Sequence, residues 1–266
     1  MAKWFSQLYF KDCQAWRDEG LPLSTTSDEA AILLDAAIAQ YVSLYDAPQY
    51  GGLEATCKRA VETDPNFIMG RTLWYALNLN RYHKVDPLGN EKADFVANLE
   101  TYASLHGNDR EKMHVSAVKL YSQGYFPEAC EVWEKILDDY PKDLVALKLA
   151  LDAYIYLSHW RQFRDTVAKV YPDWPPDSPY YSYLTGFLAF GFQETSFHEK
   201  RLRLGMEALA RTPEDSWAVH AVAQFTRRRA EVWRVTDSWN DGNSTGLLTP
   251  FWRATIIGIG LCFMWK

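Results

Sequence analysis

The residues best equipped for chemistry in this chain are six histidines and four cysteines, and their spacing limits what they can do. His220 sits in the stretch Trp217-Ala-Val-His-Ala-Val-Ala223, behind Glu214 and Asp215, whose charges suit the first turn of a helix. A second histidine four residues on would share its helix face, the arrangement metal sites use. That position is Gln224, which leaves His220 a weak metal candidate. His83, His106, His114, His159 and His198 are scattered singly, with no ligand spacing around them. Cys13, Cys57, Cys130 and Cys262 stand far apart with no C-x-x-C pair, which predicts free thiols in a reducing compartment. Cys130 is expected to pack as a small apolar group inside a helix, with Cys13 the more exposed. No nucleophile elbow, P-loop or dinucleotide fingerprint occurs.

Other polar runs carry less. Asp109–His114 (DREKMH) and His198–Arg203 (HEKRLR) read as solvated helix faces. A net charge of −6 argues against general attraction to nucleic acid. Near the start, Lys3, Lys11 and Asp12 interrupt any apolar run, so no secretory signal is expected. Near the end, the uncharged run Ala254–Trp265 falls short of the ~20 residues a membrane-spanning helix needs.

The elements that must position these residues are helices. Ala30, Leu33, Leu34, Ala37, Ile38 and Tyr41 recur at three- and four-residue intervals and make one apolar stripe. Thr26, three residues before Glu29, predicts a capping box at the start of that helix. The aromatic stretch Pro179–Phe192 has helix-packing spacing, with a ligand groove lined by Tyr180, Tyr181 and Tyr183 as the alternative.

A repeat organises the whole. CKRAVETDPNF, WEKILDDYPKD and GMEALARTPED share one shape and place Pro65, Pro141 and Pro213 at similar intervals, with Pro172 between the last two. Proline ends one helix and suits the first turn of the next. Period and shape resemble the tetratricopeptide repeat, a helix pair of about 34 residues. The best copy predicts Ala117 and Ala129 at the small contact positions, Gly124 and Tyr125 at the turn, Trp133 as the bulky contact and Pro141 as terminator. Elsewhere the copies are degenerate, and Arg201 stands where a small residue is wanted.

Residues 12–223 also resemble one family, tetratricopeptide repeat protein 38. The resemblance rests on DCQAWRDEGLPLSTTSDEAA, HVSAVKLYSQGYFPEACEVWEKIL and PEDSWAVHAVA. It implies an all-α, TPR-like solenoid of helix pairs and brings no known activity with it. In the family, a second histidine stands where this chain has Gln224. Beyond Ala223 the resemblance stops. From residue 224 the chain carries six Lys or Arg against three Asp or Glu, a net of +3, and four of its Trp. A shifted reading frame there makes Arg253–Leu261 compatible with the His- and Trp-rich segment of the family. The expected organisation is therefore a helical-repeat domain over 1–223 and a divergent, poorly ordered tail over 224–266.

Together these features point to a non-catalytic, cytoplasmic interaction module without a cofactor. Its partner is expected to be a protein or peptide lying in a concave groove, not nucleic acid or membrane. The alternative is an enzyme or metal-binding family whose His-rich C-terminal site is missing from this chain.

Overall fold

The computed structural model describes residues 4–81, 89–195 and 198–224. The expected tail from 225 onward, including Cys262 and Ala254–Trp265, lies outside the described residues, as does His83. Among the described residues every regular element is a helix, and none is long and apolar enough to cross a membrane. The α-helices are α1 (Cys13–Asp18), α2 (Asp28–Ser43), α3 (Gly52–Thr63), α4 (Ile68–Arg81), α5 (Gly89–His106) and α6 (Asp109–Ser122). They continue as α7 (Phe126–Asp139), α8 (Leu144–Leu157), α9 (Trp160–Val170), α10 (Tyr181–Glu194) and α11 (His198–Arg211). A further helix, α12, covers 216–224. The chain parts into two compact units between Trp174 and Pro175.

In the first unit most helices pack on their neighbours in sequence: α2 on α3, α3 on α4, α5 on α6, α6 on α7, α7 on α8 and α8 on α9. The best repeat copy is the α6–α7 hairpin. Gly124 supplies the turn with φ +87°, a left-handed conformation that costs an L side chain energy. Its N–H donates to Tyr121 O (3.1 Å) and that of Tyr125 to Leu120 O (3.0 Å), satisfying carbonyls at the end of α6. Pro127 then occupies the first turn of α7, where its missing N–H goes unneeded. Ala117 and Ala129 are fully buried, so the two helices approach closely, and Trp133 fills the space beside them. Pro141 follows the last residue of α7 by two positions, and its carbonyl accepts from Trp174 Nε1 (3.2 Å).

Two helices are buried nearly all round. In α2 only Asp28, Glu29 and Ile32 escape burial, which makes it a central element of its unit and not a one-faced surface helix. Its cap is Ser27 rather than the expected Thr26, with Ser27 Oγ accepting from Ala30 N–H (3.2 Å). Thr25 explains the shift, because its hydroxyl is engaged with Asp64 Oδ2 (2.6 Å) and accepts from Ser27 N–H (3.1 Å). Gln40, buried mid-helix, satisfies its amide on Thr56 Oγ1 (2.8 Å) and Ala47 N (2.8 Å), pinning α2 to α3. The other is α8, buried from Leu144 through Leu151. α2 also touches α8. A stack in which each helix pair meets only the next would keep those two apart.

In the second unit α10 and α11 form a hairpin, and Ser182 Oγ of α10 donates to Ala208 O (3.0 Å) of α11. α12 closes on both. Trp217 packs edge-on against Phe187 (5.1 Å) and Phe190 (5.4 Å), and Gly205 lies so near that a Cβ there would meet Val222 at 2.7 Å.

Candidate functional site

Within the charge run at the start of α6, expected to face solvent, Arg110, Glu111 and His114 are instead buried. Asn108 caps the helix, accepting from Glu111 N–H (3.0 Å), while Glu111 Oε2 accepts from Asn108 N–H (3.1 Å). Glu111 Oε1 accepts from Ser24 N–H (2.9 Å), far back along the chain. One turn of helix carries Arg110, Glu111 and His114 inward together. Arg110 Nη1 donates to Asp143 Oδ2 (2.7 Å), its Nη2 to Leu21 O (3.2 Å) and Pro22 O (3.0 Å). His114 Nε2 lies 2.9 Å from the same carboxylate oxygen, so Nε2 carries a proton. Asp143 also caps α8 by accepting from Ala146 N–H (2.9 Å). Burial alone would raise the pKa of Asp143, but His114, Arg110 and these hydrogen bonds outweigh it and hold the carboxyl far below the usual range. A His–Asp–Arg cluster could polarise a nucleophile. Sealed from solvent on all three side chains, this one joins α6, α8 and the loop before α2.

A second polar group lies where α2 meets α8. Lys148 is buried and reaches Asp152 Oδ1 (2.5 Å) one turn on, with its ammonium over the Tyr41 ring (4.2 Å). The Tyr41 hydroxyl donates to the other oxygen of Asp152. Burial pulls the Lys148 pKa down, against the opposing pull of Asp152. Asp152 keeps 21% of its side chain exposed, which makes it the rim of this group.

Around that rim stands an aromatic corner. Tyr121 meets Phe126 edge-on (4.8 Å), Phe126 meets Tyr156 edge-on (5.0 Å), and Tyr121 leans on Trp133 (5.8 Å). Tyr125 and Tyr156 are each 53% exposed, although most aromatics of the unit are covered. Tyr156 lies four residues beyond Asp152 and shares its helix face. Beneath the corner, Ala76, Val118, Tyr121, Trp133 and Leu149 line a pocket too narrow for a water molecule.

The residues singled out in sequence come to rest in different places. Ala117, Gly124, Ala129, Trp133 and Pro141 come together in and beside the α6–α7 hairpin. His220 is half-buried on α12, with its ring against Phe190 (5.3 Å). Among the described residues no three His, Cys, Asp or Glu converge as a metal cage. Cys13 is buried, not exposed as expected. Burial and the nearby Asp28 push its thiol up to about 11. Cys130 packs inside α7, and burial raises it to about 12, so neither thiol is an activated nucleophile. Tyr180 and Tyr183 are buried, and Tyr181 lies under Arg211 (5.1 Å), so these tyrosines pack helices and line no groove.

No family model matches the chain, and no solved structure matches it.

Arg110 and Glu111 are expected in solvent but are buried, and local spacing singles out neither Lys148 nor Asp152 as a site residue. A buried charge leaves no local trace when its partner is Leu21, Asp143 or Tyr41. For Lys148 a signal existed: it interrupts the apolar run of α8, with Asp152 four residues on.

Proposed function

We propose that this chain is a non-catalytic protein-interaction module of the cytoplasm, built from tetratricopeptide-like helix pairs. The resemblance to the tetratricopeptide repeat protein 38 family and the geometry of the α6–α7 hairpin support that reading. One observation carries it: exposed Tyr125 and Tyr156 flanking half-buried Phe126, beside Asp152. Interfaces concentrate their energy in such aromatic anchors, next to polar groups that fix orientation. The ionic clusters that could do chemistry are buried. Beside α8, Asp152 is engaged by Tyr41 of α2. A partner peptide or helix therefore docks on the rim formed by the start of α7 and the end of α8.

The test is selection of peptide ligands from a displayed library, with affinities measured by fluorescence anisotropy on wild type and on the pair Tyr125→Ser and Tyr156→Ser. Loss of an anchoring ring costs about 1–2 kcal/mol or more at an interface, so each substitution weakens binding roughly tenfold. The melting temperature falls by no more than a few degrees, because both rings are half in solvent already. Ligands whose affinity ignores both substitutions refute this assignment of the surface.

A further inference from the structure

We propose that Asp215 is a proton-operated latch for α12, with the neutral carboxyl seating the helix on α10 and the ionised one loosening its first turn. Asp215 is fully buried just before α12 and caps it. Its Oδ1 accepts from Trp217 N–H (2.9 Å) and from Ala218 N–H (3.2 Å). The second oxygen, Oδ2, is buried with no hydrogen-bond partner. Gly186 of α10 accounts for this. A Cβ at that position would lie 2.3 Å from Oδ2, so the glycine clears the space the carboxyl occupies and offers no donor in return.

Two influences therefore oppose each other on one group. The cap bonds favour the ionised carboxylate, whereas burial of Oδ2 against Gly186 without a donor disfavours it. Burial wins and raises the pKa to about 7. Among the described residues no neighbouring charge sets this value. α10 carries Tyr181 and Tyr183, α11 carries the buried Arg201 and the exposed Arg211, and Glu214 and His220 flank the group. None of them contributes to the displacement. The ionised form can recover hydration of Oδ2 only by lifting the first turn off Gly186. That movement uncovers Trp217 from Phe187 and Phe190.

The sign comes from linkage. Because the closed form binds the proton more tightly than the open one, the latch is firm in acid and weakens with rising pH. Opening grows roughly tenfold per unit between about pH 4 and 7, then levels off.

Hydrogen exchange on the full chain tests this, with mass spectrometry of peptides covering 213–224 from pH 5 to 8 and correction for intrinsic exchange rates. Opening of α12 should rise by well over tenfold from pH 5 to 7 and only about twofold more to pH 8, while α8 holds constant. Asp215→Asn, which keeps a neutral cap, should abolish the rise; Asp215→Ser serves if the asparagine variant fails to fold. The proposal is overturned by a flat wild-type profile, by the same slope in the variant, or by parallel opening of α8. A carboxyl NMR titration placing wild-type Asp215 in the ordinary aspartate range overturns it without any variant.

Discussion

Two buried aspartates show how far a single residue's surroundings decide its behaviour. Asp143 has Arg110, His114 and an N–H around it, and is held ionised. Asp215 has two N–H groups and a glycine, and is not. The consequences for stability have opposite signs. Asp143 contributes stability that is present above about pH 4 and lost as pH falls below it, because its folded pKa lies below the unfolded one. Asp143→Asn leaves Arg110 without its counterion, and removing one partner of a buried pair costs about 3–5 kcal/mol. Urea unfolding at pH 7 should show that loss. At pH 3 the gap between variant and wild type should shrink, since the wild-type carboxyl begins to lose its advantage there. An unchanged gap would mean that ionisation of Asp143 is not what stabilises the fold.

Helices were legible to different depths. At α6–α7 two packed helices joined at Gly124 were legible, because helical spacing and a glycine turn are local signals. The start of α2 was misplaced by one residue, because Thr25 binds Asp64, a partner no local pattern reveals. Substitution can check the assignment. Ser27→Ala removes the side chain that caps Ala30 and should cost about 1 kcal/mol, whereas Thr26→Ala should change the midpoint of chemical unfolding little. The reverse ranking would restore the capping box expected at Thr26. Charge runs were harder still. DREKMH is solvated only at Asp109 and Lys112, because helical rotation carries Arg110, Glu111 and His114 inward, toward groups lying far away in sequence. The candidate site was missed for the same reason. Its apolar members, Trp133 above all, belong to the repeat pattern, while Lys148 and Asp152 acquire meaning only once α2 lies against α8.

For the whole molecule the division after Trp174 has a direct consequence. The first unit contains its own buried ionic cluster and core, and Trp174 ties its end back to Pro141. A chain of residues 1–174 should therefore unfold cooperatively by itself, with a single transition shared by far-ultraviolet dichroism and tryptophan fluorescence. Non-coincident transitions would show that it depends on the second unit. Within the first unit, Arg110 holds the carbonyls of Leu21 and Pro22 across separations of 89 and 88 residues, and Glu111 holds Ser24 across 87. During synthesis, then, Leu21, Pro22 and Ser24 lack these partners until α6 has been made. At roughly 5–20 residues per second the ribosome takes several seconds to supply it. Through that interval Leu21 and its neighbours are open to chaperones and proteases.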